Sequence, residues 1–353
     1  MRLAVLRPAS PLALGVYAFL HGRLGALKGQ LLTDRFWKAL LDARSFAEQR
    51  QLLLQTSYAP WVGTTVDATV RALQGALYRA VNVVERSVPP EAGSFVRMWG
   101  RRDLLRNLKT ILKGKALGQS EEEIDAQLLD VDPSHVLPLT ALLRAPSVEA
   151  VLDLLEHTQL AHWIREARRI HERDPTLFGL EAALDRRYYS ELRDRVERLK
   201  PRDRQAVEAL VADEIDQVNL MWLFRYRVNY RLSPGETYYL LIPVMGRLGA
   251  EELKRLARQQ TLEAMAKELT REPFASLLRR SQTVRHAEIE LLRNRARGAA
   301  RALREAAFSL GEGLALLVLQ EMETRDVIAA LEGVRFGNSR EDIEEQLAVA
   351  HVR

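Results

Sequence analysis

Two stretches of this chain, Arg106 to Leu128 (RNLKTILKGKALGQSEEEIDAQL) and Arg325 to Leu347 (RDVIAALEGVRFGNSREDIEEQL), align without a gap. Gly114, Gly118, Ser120, Ile124, Gln127 and Leu128 recur as Gly333, Gly337, Ser339, Ile343, Gln346 and Leu347. The pattern predicts a helix, a glycine turn, and a second helix opened by a serine cap with acids behind it. A V of two helices cannot bury its own apolar surface, so such units must lean on one another.

A middle copy contains Glu214 to Arg227 (EIDQVNLMWLFRYR), which places Asn219 and Leu220 on Asn107 and Leu108. Its Glu214, Asp216 and Asn219 align with Glu321, Glu323 and Asp326, and Ser233, Pro234 and Gly235 are expected to replace the glycine turn. Apart from these polar residues the stretch is almost wholly apolar until it closes with Arg225 and Arg227. A helix apolar nearly all round is buried, so its polar groups need designated partners. Asp216 and Asn219 lie three apart on one face and are expected to fasten Arg225, Arg227 or a neighbouring backbone.

A second motif alternates with the first: a capped helix ending in a corner, at Ser45 to Val62, Ser147 to Ile164 and Thr261 to Leu278. Thr56, Ala59 and Trp61 return as Thr158, Ala161 and Trp163, and the third copy is the weakest. Leu, Ala, Arg and Glu dominate throughout, apolar residues recur three and four apart, and no stretch alternates as a strand. The expectation is an all-α protein with short connections, divided into a lead segment, 1–34, and three helical repeats, 35–136, 137–248 and 249–353. Three long copies suit either closure about an approximate threefold axis or an open superhelix, and periodicity alone does not decide between them.

Several function classes are excluded or weakened. Cysteine is absent, which removes disulfides, thiolate metal sites and cysteine nucleophiles and fits a reducing compartment. Gly114-Lys115 lacks the glycine loop and the following Ser or Thr of a phosphate cradle. His157 and His162 are five apart and point to different faces. No pair of acids carries a pocket signal, so no catalytic, metal or cofactor site is expected. The apolar runs fall far short of the roughly 20 residues that span a bilayer, and Met1 to Val16 lacks a secretory core.

The net charge of +5 is mild. One stripe, Arg293, Arg297, Arg301 and Arg304, could bind nucleic acid, and a second cluster, Arg165, Arg168, Arg169 and Arg173, raises the same question. Glutamates 288, 290 and 305 dilute the stripe and aromatics for base stacking are missing, so a solvated face is favoured.

An early tyrosine helix with LLT (Tyr17, Leu31 to Thr33), the corner at Thr56 to Tyr58, DLLRNLKTILKGKALG from Asp103, LDRRYY at Leu184 to Tyr189, EIDQVNLMWLFRYR from Glu214 and QEMETRDVIAALEG from Gln320 occur in this order. From about residue 15 onward, their combination resembles the C subunit of archaeal-type and vacuolar-type rotary ATPases, whose eukaryotic vacuolar counterpart is the d subunit. The first dozen residues depart from that pattern, as does the third repeat, where Asp326, Ala329 and Ala330 replace an asparagine and larger apolar residues. The resemblance implies a non-catalytic helical funnel of three similar domains. It would sit as one copy per complex, peripherally on the cytoplasmic face, linking the central stalk to the proteolipid ring and passing torque between them. No nucleic acid and no cofactor would be involved. On that reading the Asp216 and Asn219 polar groups fasten the structure rather than touch the stalk. A helical-repeat adaptor for an acidic protein or nucleic acid is the other reading.

Overall fold

The computed structural model describes residues 11–129, 137–172, 177–243 and 245–351. Most of the opening stretch Met1 to Val16 and Arg173 of the second basic cluster lie outside them. The described chain is helical, with no strand among these residues.

Each repeat runs through the same elements. Short corner helices lead into a long brace, which turns back into a long strut, and the strut ends at a tight turn and a short capped helix. The braces are Val66–Glu85, Leu177–Arg198 and Val284–Glu305. The struts are Pro90–Ala116, Pro201–Leu223 and Leu310–Arg335. Local chemistry sets these limits: Pro90 and Pro201 stand in the first turn, where a missing N–H costs nothing. Thr65 and Thr283 cap the outer braces through their hydroxyls. Corner helices Phe46–Leu53, Val148–Leu155 and Leu262–Glu268 are capped in the same way by Ser45, Ser147 and Thr261. Thr56 and Thr158 close the first two corners identically, each hydroxyl donating to the carbonyl three residues back at 2.7 Å.

Each strut packs on the corner of the following repeat. Leu108, Ile111, Leu112 and Ile124 of the first strut and its capped helix share a core with Leu142, Val151, Leu155 and Trp163 of the second corner. Leu220, Leu223 and Phe224 share one with Leu253, Leu256, Met265 and Phe274 of the third corner. Val327, Leu331 and Ile343 share one with Trp37, Leu40, Leu53 and Tyr58 of the first. Gln49 of the first corner also donates to the Ala330 carbonyl at 3.0 Å. The last strut therefore returns to the beginning of the chain. The lead helix Pro11–Lys28 ties in beside it: His21 and Lys28 meet Glu312, and Tyr17 donates to Asp203 at 2.6 Å.

The turns after the struts show why the middle copy reads differently. Gly118 and Gly337 adopt φ +68° and +70°, the left-handed conformation that closes a helix end. Gln119 N–H then reaches the Gly114 carbonyl, and Asn338 N–H that of Gly333, both at 2.9 Å. In the middle copy the left-handed residue is Arg231, at φ 56°, and Ser233 is the cap of helix Pro234–Leu240, matching Ser120 and Ser339. The expectation that Ser233, Pro234 and Gly235 form the turn is thus corrected. The turn sits one residue later because Phe224–Asn229 winds as a π-helix, which takes up one extra residue. Leu232 N–H accordingly reaches back six residues to the Tyr226 carbonyl rather than five.

Packing across each V follows from this register. A Cβ on Gly114 or Gly333 would stand 2.4 or 2.5 Å from the side chain of Ile124 or Ile343. In the middle copy the same positions hold Tyr226 and Thr237, both buried, so the large residue has moved to the other arm. Gly333→Ala is expected to cost about 1–3 kcal/mol through overpacking. Urea denaturation would show it as a lowered midpoint, and an unchanged midpoint would mean that this V is loose.

Candidate functional site

Three struts meet at one buried charge cluster. Arg102 comes from the first, Glu214 from the second and Glu321 from the third, and the repeat register places all three at the same position. Arg102 donates to Glu321 at 2.8 Å and to Glu214 at 3.4 Å. Arg295, from the third brace, donates to the same two carboxylates at 3.0 and 2.9 Å. Trp99 Nε1 reaches Glu214 Oε2 at 3.3 Å and the Tyr189 hydroxyl reaches Oε1 at 3.4 Å. The Arg102 guanidinium lies 3.5 Å from the centre of the Trp99 ring. Side-chain exposure is 13% for Arg102, 10% for Arg295, 4% for Glu214 and 25% for Glu321.

Two cations and two anions balance here, which makes burial tolerable. Desolvation works against the Arg102 charge, but Glu321 and Glu214 more than reverse it, so the guanidinium holds its proton more firmly than usual. Burial pushes the Glu321 carboxyl up, and Arg102 and Arg295 overcome that, leaving it below its ordinary value. The cluster is a set of fixed, matched charges. It ties the three struts and the third brace together.

Asp103 lies at the margin of the cluster. Its Oδ2 is buried without a hydrogen-bond partner. Burial pushes its pKa up to about 6, helped by Glu321 and Glu214 and opposed by Arg102 and Arg106. A carboxyl raised in this way favours the folded state fully below about pH 4, and that contribution is lost as the pH rises through about 6. Asp103→Asn is therefore expected to melt higher than the parent at pH 7.5, with the difference shrinking towards pH 4. Melting curves that stay parallel across this range would refute it.

A second recurring device lies one turn beyond the cluster. Asn107 accepts from the Leu129 N–H at 2.8 Å and donates to the Leu129 carbonyl at 3.0 Å. Asn219 clasps Ile242 in the same two ways, both at 2.8 Å. Asp326, with no N–H to give, accepts instead from Ala348 and Val349 at 2.8 and 2.6 Å, while Arg325 satisfies its other oxygen. Each clasp fastens the strut to the segment that follows its capped helix. Of the partners open to Asp216 and Asn219, the backbone is the one realised.

Asp216 and Glu323, also equivalent, hold the lead into the next corner. Asp216 accepts from Arg247 and Leu248 N–H at 2.7 and 3.0 Å. Burial pushes its carboxyl up to about 7, against the pull of those two N–H groups. Glu323 accepts from Leu32 N–H at 2.9 Å and from the Tyr58 hydroxyl at 3.0 Å.

The remaining sequence candidates lie apart from the cluster. Arg227 is buried and donates to the carbonyls of Gln259 and Leu232, and exposed Arg225 reaches the Tyr230 hydroxyl at 3.4 Å. The basic stripe is not one free face. Arg293 is held by the carbonyls of Leu347 and Glu345 and by Glu290, and Arg297 is 3.9 Å from Glu290. Arg301 and Arg304 are exposed. In the other cluster Arg168 pairs with Asp153 and Glu156, each at 2.6 Å, and His162 pairs with Glu191 at 2.5 Å. Among the described residues no group of three His, Asp or Glu side chains is placed to hold a metal ion.

Sequence reasoning missed Arg102, Arg295, Trp99 and Tyr189. For Arg102 the signal was present: it stands in the same ungapped register as Glu321. Reversal of charge at an aligned position reads as divergence until the struts are seen to converge. Arg295 had no such signal, because it comes from a brace.

Comparisons with known proteins give the family. Residues 20–346 match the family model described as ATP synthase (C/AC39) subunit, and the chain belongs to that family. It is similar to the V-type ATP synthase C subunit of Thermus thermophilus, 26% identical over 94% of this chain and 98% of that one. Similarity also extends to the A-type ATP synthase C subunit of Methanocaldococcus jannaschii, 26% identical over 51% of this chain. There the match spans about half of the relative, 47% of its length. A third relative, the A-type ATP synthase C subunit of Methanococcoides burtonii, is 25% identical over 68% of this chain and 67% of its own. No helix among the described residues is long and apolar enough to cross a membrane.

Proposed function

We propose that this chain is a non-catalytic rotor subunit that joins the central stalk of a rotary ATP synthase to its membrane proteolipid ring and carries torque between them. It would be a socket of three repeats, 35–136, 137–248 and 249–353, closed about an approximate threefold axis and seated peripherally on the cytoplasmic face. The observation that carries this reading is the meeting of Arg102, Glu214 and Glu321, one equivalent residue per strut, in a single cluster. Equivalent points coincide only near an axis that relates them. Support also comes from the circular packing, in which each strut buries its apolar face on the next corner and the third returns to the first. Family membership and the Thermus relative, matched almost end to end, supply the rotary complex.

A torque coupler must resist shear, and matched buried charges with backbone clasps restrict sliding of one helix past another. The adaptor reading is weakened because Arg293 of the basic stripe is bound within the chain and Arg297 lies 3.9 Å from Glu290. The test is capture from detergent-solubilised membranes with the tagged chain, followed by mass spectrometry and an ATPase assay of the chain alone. Recovery of both stalk and ring subunits, with no turnover by the isolated chain, is expected. Capture of neither would overturn the proposal.

A further inference from the structure

The tips of the three Vs share an exposed apolar or aromatic side chain at one register, although the Tyr230 ring also lies 5.2 Å from that of Phe178 and its hydroxyl accepts from Arg225. The residue just before the left-handed position is Leu117 in the first, Tyr230 in the second and Phe336 in the third, exposed 63%, 47% and 72%. A turn of this kind makes its own apolar contact from residues on either side of this position, so the position itself has no need of a large apolar side chain. One such residue would be ordinary. The same register in three units that otherwise differ is a pattern with its own cause.

The surroundings narrow that cause. Several cations near the tips are already held within the chain: Lys115 by the Leu143 carbonyl, Arg335 by Asp67 and Arg340 by Asp42. Each of these contacts joins a tip to the next unit's corner or brace. Beside the tips, the first turns of the capped helices expose acids: Glu121 and Glu122, then Glu236, then Glu341 and Asp342.

We propose that Leu117, Tyr230 and Phe336 form a three-point seat for the cytoplasmic loops of the membrane ring. This rests on the ring-linking role and threefold closure proposed above. Rotation leaves height along the axis unchanged, so equivalent tips stand on one end face. A ring of identical subunits offers the same surface to each tip, and the same chemistry therefore recurs three times. A single asymmetric stalk would meet each tip with a different surface. Cytoplasmic loops of membrane proteins carry an excess of Lys and Arg, which the exposed acids complement.

The experiment compares the parent with Leu117→Ser/Tyr230→Ser/Phe336→Ser. Both are titrated against the membrane sector stripped of its soluble subunits, against isolated central stalk, and against protein-free vesicles of the same lipids. Leu117 and Phe336 are largely exposed, whereas Tyr230 also contacts Phe178 and Arg225, so the melting temperature of the triple variant is measured first, and if it falls the single Phe336→Ser variant is used instead. The triple change is expected to weaken binding to the sector about tenfold or more and leave stalk binding unchanged. Undiminished sector binding overturns the seat. So does selective loss of stalk binding, which would turn the tips towards the stalk, or tip-dependent binding to vesicles, which would assign them to lipid. A parent chain that binds neither sector nor stalk overturns the ring-linking role itself, and the parent titration alone reveals that case.

Discussion

Arg102→Met is expected to destabilise the protein by about 3–5 kcal/mol, the usual range for removing one partner from a buried ion group. The change leaves Glu214 and Glu321 facing a single cation, Arg295, at 2.9 and 3.0 Å. Pairing with Glu321→Gln restores a balance of one cation to one anion. The double variant should therefore be more stable than Arg102→Met alone, although it lacks more native groups. Chemical denaturation of the two singles and the double closes the cycle. A double variant that is simply the sum of its singles would mean that the charges act independently, and the cluster would lose its role as the joint of the struts.

Asn219→Leu is expected to cost about 2–6 kcal/mol by a different route. Ile242 is 1% exposed, and its N–H and C=O are both satisfied by the Asn219 amide. Leucine would leave both backbone groups buried without partners, each at about 1–3 kcal/mol. Asn219→Asp keeps the shape but sets an acceptor against the Ile242 carbonyl, so it should also destabilise, which distinguishes a lost hydrogen bond from poor packing. In exchange experiments the Ile242 amide should lose protection first. A variant with unaltered melting temperature and lost stalk binding would instead place Asn219 in a partner interface.

The clasp shows how one architectural position is met by two chemistries. Asn107 and Asn219 each give and receive one hydrogen bond, whereas Asp326 receives two. The aspartate departs from the asparagine pattern without abandoning its work. The segment at Ala348 and Val349 is held by two successive N–H groups, where the other copies present one N–H and one carbonyl.

The sequence by itself determined the helices, their caps and the recurrence of the V, because these depend on neighbours within a few residues. Serine followed by acids and left-handed glycine act locally, so Ser120, Ser339, Gly118 and Gly337 were legible at once. It also marked Glu214, Asp216, Asn219 and their aligned partners as polar groups in need of company. Tertiary structure decided who keeps that company. Arg102 and Glu321 attract because the struts that carry them converge, and Arg295 joins from a brace that no repeat pattern links to either. The turn in the middle copy stayed hidden for a similar reason: a π-turn adds one residue without leaving a composition signal, and only the backbone path shows that Arg231, not Gly235, takes the left-handed place. Local hydrogen bonding can be read along a chain, but the meeting of charges from distant elements depends on the three-dimensional path between them.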